Sequence, residues 1–415
     1  MPGNKVIAII GNGCAAMECI KSLRENNDPG EIHLFSDNRW PSYNPMLTTY
    51  YAAGRIDFET FFPYGYNFDF YKDHGVHLHL DAPVVRVDAV EQTIENRSKF
   101  KITYDQCLVA TGARPFLPSI EGITSRSIYV MRTIEDSIAV KKALQGCPRK
   151  ALIIGASVTG VKIVEMFHGS GVSVCLADMA PHILPLAAHP DCAGIIEDRL
   201  VRRGIRLRLG TGIERIEETS AGLNAYFTGE SKPEGTDLIV MCTGMESNIA
   251  FLDKKQVKMD RGILVDKRMQ TNVSNLYAAG DVAQGLNLLT GENQIIGLWA
   301  NARYQGRAAG KNMAGIEDEF IGNIPHNMTH FMDMVFVGIG DIRKGTREEK
   351  QYDGKTYRHF VWDRNRLVGI NLLDDFTEAG IYEHALLRGL RHSQKTVDRD
   401  PLSNLVDLIG EFKKN

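Results

Sequence analysis

Two short apolar runs organise the chain. Val6-Ile7-Ala8-Ile9-Ile10 carries five apolar residues without interruption, and Ala151-Leu152-Ile153-Ile154 carries four. Runs of this length, without alternation and rich in β-branched residues, read as strands buried on both faces of a parallel sheet. Each stops at glycine. Gly11-Asn12-Gly13-Cys14-Ala15-Ala16 follows the first, and Gly155-Ala156-Ser157-Val158-Thr159-Gly160 follows the second. Each site therefore predicts a strand turning into a helix.

The pattern between these points predicts the rest. Residues 4–36 read as strand, turn, helix and strand. Segments 83–88 and 101–109 read as strands, the latter ending in Ala110-Thr111-Gly112-Ala113-Arg114-Pro115. Residues 119–245 read as a second α/β unit, closing with Leu238-Ile239-Val240-Met241-Cys242-Thr243-Gly244, an echo of the Ala110-Thr111-Gly112 turn. The last segment, 323–415, predicts strands near 330–338, 356–362 and 366–373 and a helix near 376–390. Between 58 and 71 stand eight aromatic residues: Phe58, Phe61, Phe62, Tyr64, Tyr66, Phe68, Phe70 and Tyr71. That is more ring area than one helix face buries, so the stretch is expected to be partly core and partly partner surface; wholly internal packing is the alternative.

The glycine patterns have a physical meaning. The first glycine permits a tight turn, and the second lets backbone approach a pyrophosphate. The third position, Ala16 or Gly160, must be small so that helix and strand pack closely. The helix N-terminus then offers unpaired N–H groups to an anion. Ser157 stands at the middle glycine position of the second copy and costs some clearance.

Composition changes the picture little. At 415 residues the chain has room for two or three domains, and 43% apolar with 24% charged residues is ordinary for a globular protein. A net charge of -3 gives no reason to expect nucleic acid or an anionic membrane as partner. No apolar run is long enough to span a bilayer and no signal peptide is recognisable, so the expected location is cytoplasmic. Seven scattered cysteines argue against a disulfide framework. Cys14 and Cys19 sit five apart on an expected helix, too far apart to bridge. No metal site is expected.

These segments, with Tyr43-Asn44-Pro45-Met46-Leu47, Tyr277-Ala278-Ala279-Gly280-Asp281 and the stretch 297–306, resemble the pyridine nucleotide–disulfide oxidoreductase superfamily, closest to rubredoxin and ferredoxin reductases and the flavin part of nitrite reductase large subunits. The resemblance implies an α/β fold with two Rossmann-like, three-layer dinucleotide-binding domains. The NAD-binding domain, 118–245, is inserted in the FAD-binding domain, 1–117 and 246–322, and a small α+β domain, 323–415, follows. It implies FAD at Gly11, Gly13, Ala16, Ser36 or Asp37, Asn44, Pro45, Val84, Ala110, Thr111, Gly112, Arg114, Gly280 and Asp281. Trp299 lies against the isoalloxazine or is a core tryptophan. For NAD it implies Gly155, Ser157, Gly160, Asp178 and Gly244. Asp178, followed by Met179 and Ala180 rather than arginines, would accept ribose hydroxyls and repel a 2′-phosphate, so NADH is expected over NADPH.

Three departures qualify the likeness. The stretch 41–50 has no cysteine, which disfavours thiol chemistry. Thr49 stands where the ferredoxin-reductase branch has a lysine, and Lys162 where it has a glutamate. Lys162 is either a relocated cation reaching back to the flavin or a solvent-facing side chain, with Thr49 filling space. The expected function is NADH-linked hydride transfer to FAD, with electrons passing to or from a ferredoxin, a rubredoxin or a partner subunit of a larger oxidoreductase complex. An oxygen-using NADH oxidase and a flavin-bearing non-catalytic subunit are the alternatives. Oligomerisation, acceptor and direction of flow stay open.

Overall fold

A computed structural model of the chain describes residues 5–389. It divides into two compact units: Met1–Leu186 with Ala193–Asn323, and Ala187–Cys192 with Ile324–Asn415.

The first unit holds two parallel five-stranded sheets built on one plan. In the first sheet the order is Leu276–Ala278, Gln106–Val109, Val6–Ile10, Glu31–Phe35 and Val76–His79. The second runs Arg206–Leu209, Ser173–Asp178, Lys150–Ile154, Leu238–Met241 and Ile128–Tyr129. The apolar runs become central strands because both faces are covered: Ile7, Ile9, Leu108, Leu152, Ile153 and Val240 are fully buried. Each sheet is accompanied by an antiparallel three-stranded meander, Val84–Asp88, Thr93–Asn96 and Lys101–Thr103 in one case, Ile213–Thr219, Gly222–Phe227 and Glu234–Thr236 in the other. The chain passes between the halves through a two-stranded ribbon, Ala113–Pro115 against Met245–Ser247, with Arg114 and Glu246 paired across it at 2.7 Å.

The helices Cys14–Glu25 and Trp299–Met313 pack together in the first half. Their approach depends on glycine: a Cβ at Gly306 would stand 2.2 Å from the Ala15 carbonyl oxygen, and one at Gly310 2.6 Å from that of Cys19. Glu18 is buried at this crossing, held by Arg303 and Arg307 at 2.9 Å each. Burial raises its pKa, but the two guanidiniums outweigh that and hold the carboxyl below its ordinary value.

The second unit is a five-stranded antiparallel sheet, in the order His326–Phe331, Met334–Gly340, Arg366–Leu373, Tyr357–Asp363 and Arg347–Tyr352, with the helix Ala379–Leu387. The expected strand at 330–338 is two strands meeting in a tight hairpin. The edge strand Arg347–Tyr352 escaped prediction because Arg-Glu-Glu-Lys-Gln-Tyr has no apolar alternation to see. The expected helix reaches 390, which lies outside the described residues.

The aromatic stretch differs from expectation. Only Tyr66, 47% exposed, is an exposed ring; Phe61, Phe62 and Tyr71 are buried and the others half-buried. The segment folds into short turns and a one-turn helix, Phe58–Phe61 and Asp69–Asp73, so its rings pack edge-on against one another and against Trp40, Tyr43 and Tyr51. It is internal packing rather than partner surface.

Candidate functional site

Three turns lie side by side at the carboxyl ends of adjacent strands in the first sheet. Gly11 follows Val6–Ile10, Ala110 follows Gln106–Val109, and Gly280 comes just after Leu276–Ala278. That edge is where open α/β sheets bind ligands. Gly11 has φ +104°, and a Cβ there would lie 2.2 Å from the Ala110 carbonyl oxygen, so only glycine fits. At Gly13, by contrast, a Cβ would meet no atom of the described residues within 4 Å. The backbone is bare toward open space there. Gly13 opens the helix Cys14–Glu25, which has no side-chain cap among the described residues and no acidic residue in its first turn. Its first N–H groups are left for an anion. Ala16 is fully buried against the strand.

Side chains converge on the same edge. Asp281 meets Arg132 at 3.1 Å, both partly exposed. Gln305 accepts the Gly280 N–H at 2.8 Å and fixes that turn. Thr111 donates to the Asn248 carbonyl at 2.7 Å, and Asn248 donates back to the Thr111 carbonyl at 3.0 Å. Trp299, half-buried, starts its helix beside the first one, its carbonyl accepting from Cys14 Sγ. At the end of Glu31–Phe35, Ser36 is buried and accepts from the Asn38 N–H, whereas Asp37 is exposed. Asn44 accepts the Met46 N–H and caps the turn Pro45–Leu47, while Val84 begins the first strand of the meander.

The second sheet repeats the arrangement. Gly155 has φ +105°, and a Cβ would lie 2.2 Å from the Cys242 carbonyl oxygen; one at Gly160 would lie 1.9 Å from that of Gly155. Gly244 has φ +107° and faces open space. Ser157 does more than fit: it caps the helix Val158–Gly169 by accepting the Gly160 N–H at 3.4 Å. Asp178 ends its strand with both oxygens engaged, accepting from the Ala156 N–H at 2.6 Å and the Ala180 N–H at 2.8 Å. The carboxylate thereby ties the glycine turn to the neighbouring strand.

The helices that carry the two altered positions, Thr48–Ala52 and Val158–Gly169, touch. Thr49 is buried in the helix Thr48–Ala52, and the ring of its neighbour Tyr50 lies 4.9 Å from the Lys162 ammonium. Lys162 is only 8% exposed, so it does not turn to solvent. It pairs with Glu165 at 2.5 Å, and Glu165 also meets Arg55 at 3.2 Å. Sequence reasoning missed Arg132, Glu165, Arg55 and Asn248. The capping box of Thr133 and Asp136, which starts the helix Ile134–Gln145, was the one local signal that set Arg132 apart as the last residue before a helix.

The seven cysteines form no disulfide with one another, and six are buried. Burial pushes the Cys14 thiol up to about 12, so it offers no thiolate at neutral pH.

The sequence pattern described as "Pyridine nucleotide-disulphide oxidoreductase" matches residues 5–306. The chain belongs to that family. Its cofactors are FAD and a nicotinamide dinucleotide, and both cradles fit such groups, with glycine where a side chain would collide and bare backbone where a pyrophosphate would lie. An NADH oxidase of Methanocaldococcus jannaschii is 30% identical over 340 residues, 80% of this chain and 75% of that protein. The NADH-dependent phenylglyoxylate dehydrogenase subunit epsilon of Aromatoleum evansii is 28% identical over 389 residues, 92% of this chain and 91% of that one. Among solved structures, the water-forming NADH oxidase from Lactobacillus brevis bound to NADH superposes with a TM-score of 0.89 at 20% identity, covering 99% of each chain. No helix among the described residues is long and apolar enough to cross a membrane.

Proposed function

We propose that this family member is an NADH-linked, FAD-dependent oxidoreductase that exchanges electrons with a redox protein: a ferredoxin, a rubredoxin or a partner subunit of a larger complex. The observation that carries the reading is the pair of glycine cradles, each at the carboxyl edge of its own parallel sheet and joined by the ribbon of Arg114 and Glu246. Bound FAD, held at Gly11, Gly13 and Ala16, would supply the hydride and electron chemistry that links the nicotinamide to the redox partner in either direction.

The remaining roles belong to the chain. Gly11, Gly13 and Ala16 shape the FAD pyrophosphate site, Arg132 brings a cation to it, and Asp281 orients that guanidinium. Asp37 is better placed than Ser36 for the adenosine ribose, being exposed. Asn44, Pro45 and Val84 line the same half, and Thr111, Gly112 and Arg114 form the turn toward the nicotinamide side, with Trp299 closing it. Gly155, Ser157, Gly160 and Gly244 shape the second site. Asp178 sets the preference for NADH, since Met179 and Ala180 give a 2′-phosphate no cation. The FAD part comprises 1–117 and 246–322, the NAD part 118–245, and the C-terminal domain 323–415. No thiol serves in the reaction, because 41–50 lacks one and Cys14 is buried. A cytoplasmic location belongs to this reading, supported by seven cysteines that form no disulfide with one another.

The name of the Methanocaldococcus relative favours a second reading, oxygen as acceptor. Anaerobic stopped-flow mixing with NADH separates the two. Fast bleaching of the flavin, slow recovery in air and fast recovery with ferredoxin or rubredoxin support the proposal. Fast recovery in air supports the oxidase. No bleaching by NADH would mean that neither holds.

A further inference from the structure

The second unit brings three metal-competent side chains to one point, remote in sequence from every cradle residue. His189 stands in the segment Ala187–Cys192, Glu348 on the edge strand Arg347–Tyr352 and His359 on its neighbour Tyr357–Asp363. The register sets Lys350 opposite His359, so Glu348, Lys350 and His359 share one face of the sheet. One ligand atom from each of His189, Glu348 and His359 lies within 4.8 Å of the others. The closest approaches are His359 Nε2 to Glu348 Oε2 at 3.3 Å and His189 Nε2 to the same oxygen at 3.7 Å. Ligands about 2.0–2.1 Å from a tetrahedral zinc ion stand about 3.3 Å apart. The two distances to Glu348 are already near that spacing.

A second observation points to a ligand. His359 is fully buried, and neither of its ring nitrogens makes a hydrogen bond among the described residues. The carboxylate of Glu348 is near, but the geometry of a hydrogen bond is missing. A buried imidazole with a ring nitrogen that has no hydrogen-bond partner is a good metal ligand. Leaving such a group unsatisfied in a dry site is costly.

We propose that His189, Glu348 and His359 bind one divalent transition-metal ion, of the zinc type, with water completing its shell on the exposed side of Glu348. Lys350 bridges Glu348 at 2.9 Å and Asp191 at 2.7 Å and is the competing cation. The ion would fasten the segment Ala187–Cys192 to this sheet, adding to the bonds that Asn371 makes to the His189 N–H and the Ala187 carbonyl. A comparable group, Glu31, His33 and His77, lies in the first unit. There both nitrogens of His33 are already engaged, by His79 and Glu31 at 3.0 Å each, so nothing is left orphaned.

The test uses the full chain with its flavin, stripped of metal by a chelator. Zinc is titrated by calorimetry and cobalt(II) by its visible ligand-field absorption. One ion per chain is expected, with affinity falling at least tenfold in Glu348→Gln and in His189→Asn and unchanged in Glu31→Gln. Lys350→Met, which removes the competing ammonium, should bind more tightly. Failure of the unmodified chain to bind, unchanged affinity in both ligand variants, or loss in Glu31→Gln instead would overturn the proposal. If the ligand variants do not fold, Lys350→Met decides: tighter binding supports the site, and unchanged binding refutes it.

Discussion

Replacing Asp178 with asparagine removes one charge from the end of the strand Ser173–Asp178 while keeping the shape of the turn. The choice of asparagine follows from the structure. Both Asp178 oxygens accept backbone N–H groups, from Ala156 at 2.6 Å and Ala180 at 2.8 Å. Alanine would orphan both donors, at about 1–3 kcal/mol each, and the resulting disorder of the glycine turn would mask any change in cofactor preference. Asparagine keeps one acceptor and loses about one such bond. The electrostatic part is separable. A unit charge about 6 Å from Asp178, at an effective dielectric of about 20, is repelled by about 3 kcal/mol. Solvent at this partly buried site reduces that to roughly 1–3 kcal/mol.

The preference for NADH over NADPH, read as the ratio of kcat/KM values for flavin reduction, should therefore fall about 10- to 100-fold in Asp178→Asn. Most of the change should come from faster reduction by NADPH, because the repulsion acts on the 2′-phosphate alone. A thermal melt run in parallel shows that the NAD-binding half is intact. A folded variant whose ratio stays within about twofold of the unmodified protein would refute the charge argument, as would an unmodified protein that takes both cofactors equally.

Other outcomes follow from the same site. Arg132→Met should weaken FAD binding about 10- to 100-fold, read from flavin retained after dialysis, with circular dichroism unchanged. Gly306→Ala should lower stability by about 1–3 kcal/mol and loosen the flavin, because its Cβ meets the Ala15 backbone, which moves only with the whole helix. Glu18→Gln should cost about 3 kcal/mol at pH 7 by leaving two arginines facing a neutral group. Because the folded pKa of Glu18 lies below its ordinary value, its contribution is present above about pH 4.5 and disappears as pH falls through the folded value. The variant should thus lose less stability on acidification than the parent. Lys162→Met removes one cation from the cluster with Glu165 and Arg55, and should lower the flavin midpoint potential; an unchanged potential would show that this cluster does not act on the flavin.

What the sequence made legible was local. Both cradles announce themselves because strand, turn and helix start are written within a dozen residues, and Gly11, Gly155 and Gly160 are forced by backbone contacts that no other residue survives. Asp178 was legible because it closes the next strand along. Partners far apart in the chain were not. Arg132 meets Asp281 across 149 positions and Arg55 meets Glu165 across 110, and nothing near either residue signals the other. The aromatic stretch was misjudged for a related reason. Counting ring area against a single helix face assumes a helix, whereas short turns let rings from Trp40 to Tyr71 bury one another. His359 carries no local signal of its own; its register with Lys350 and the approach of His189 enclose it. The glycines proposed to meet the cofactors are thus fixed by short-range rules, and the partners of Arg132 and Arg55 by topology. Substitutions at Gly11 or Gly155 should therefore act on whether a nucleotide binds at all, and substitutions at Asp178, Lys162 or Arg132 on which nucleotide binds, at what potential and how tightly.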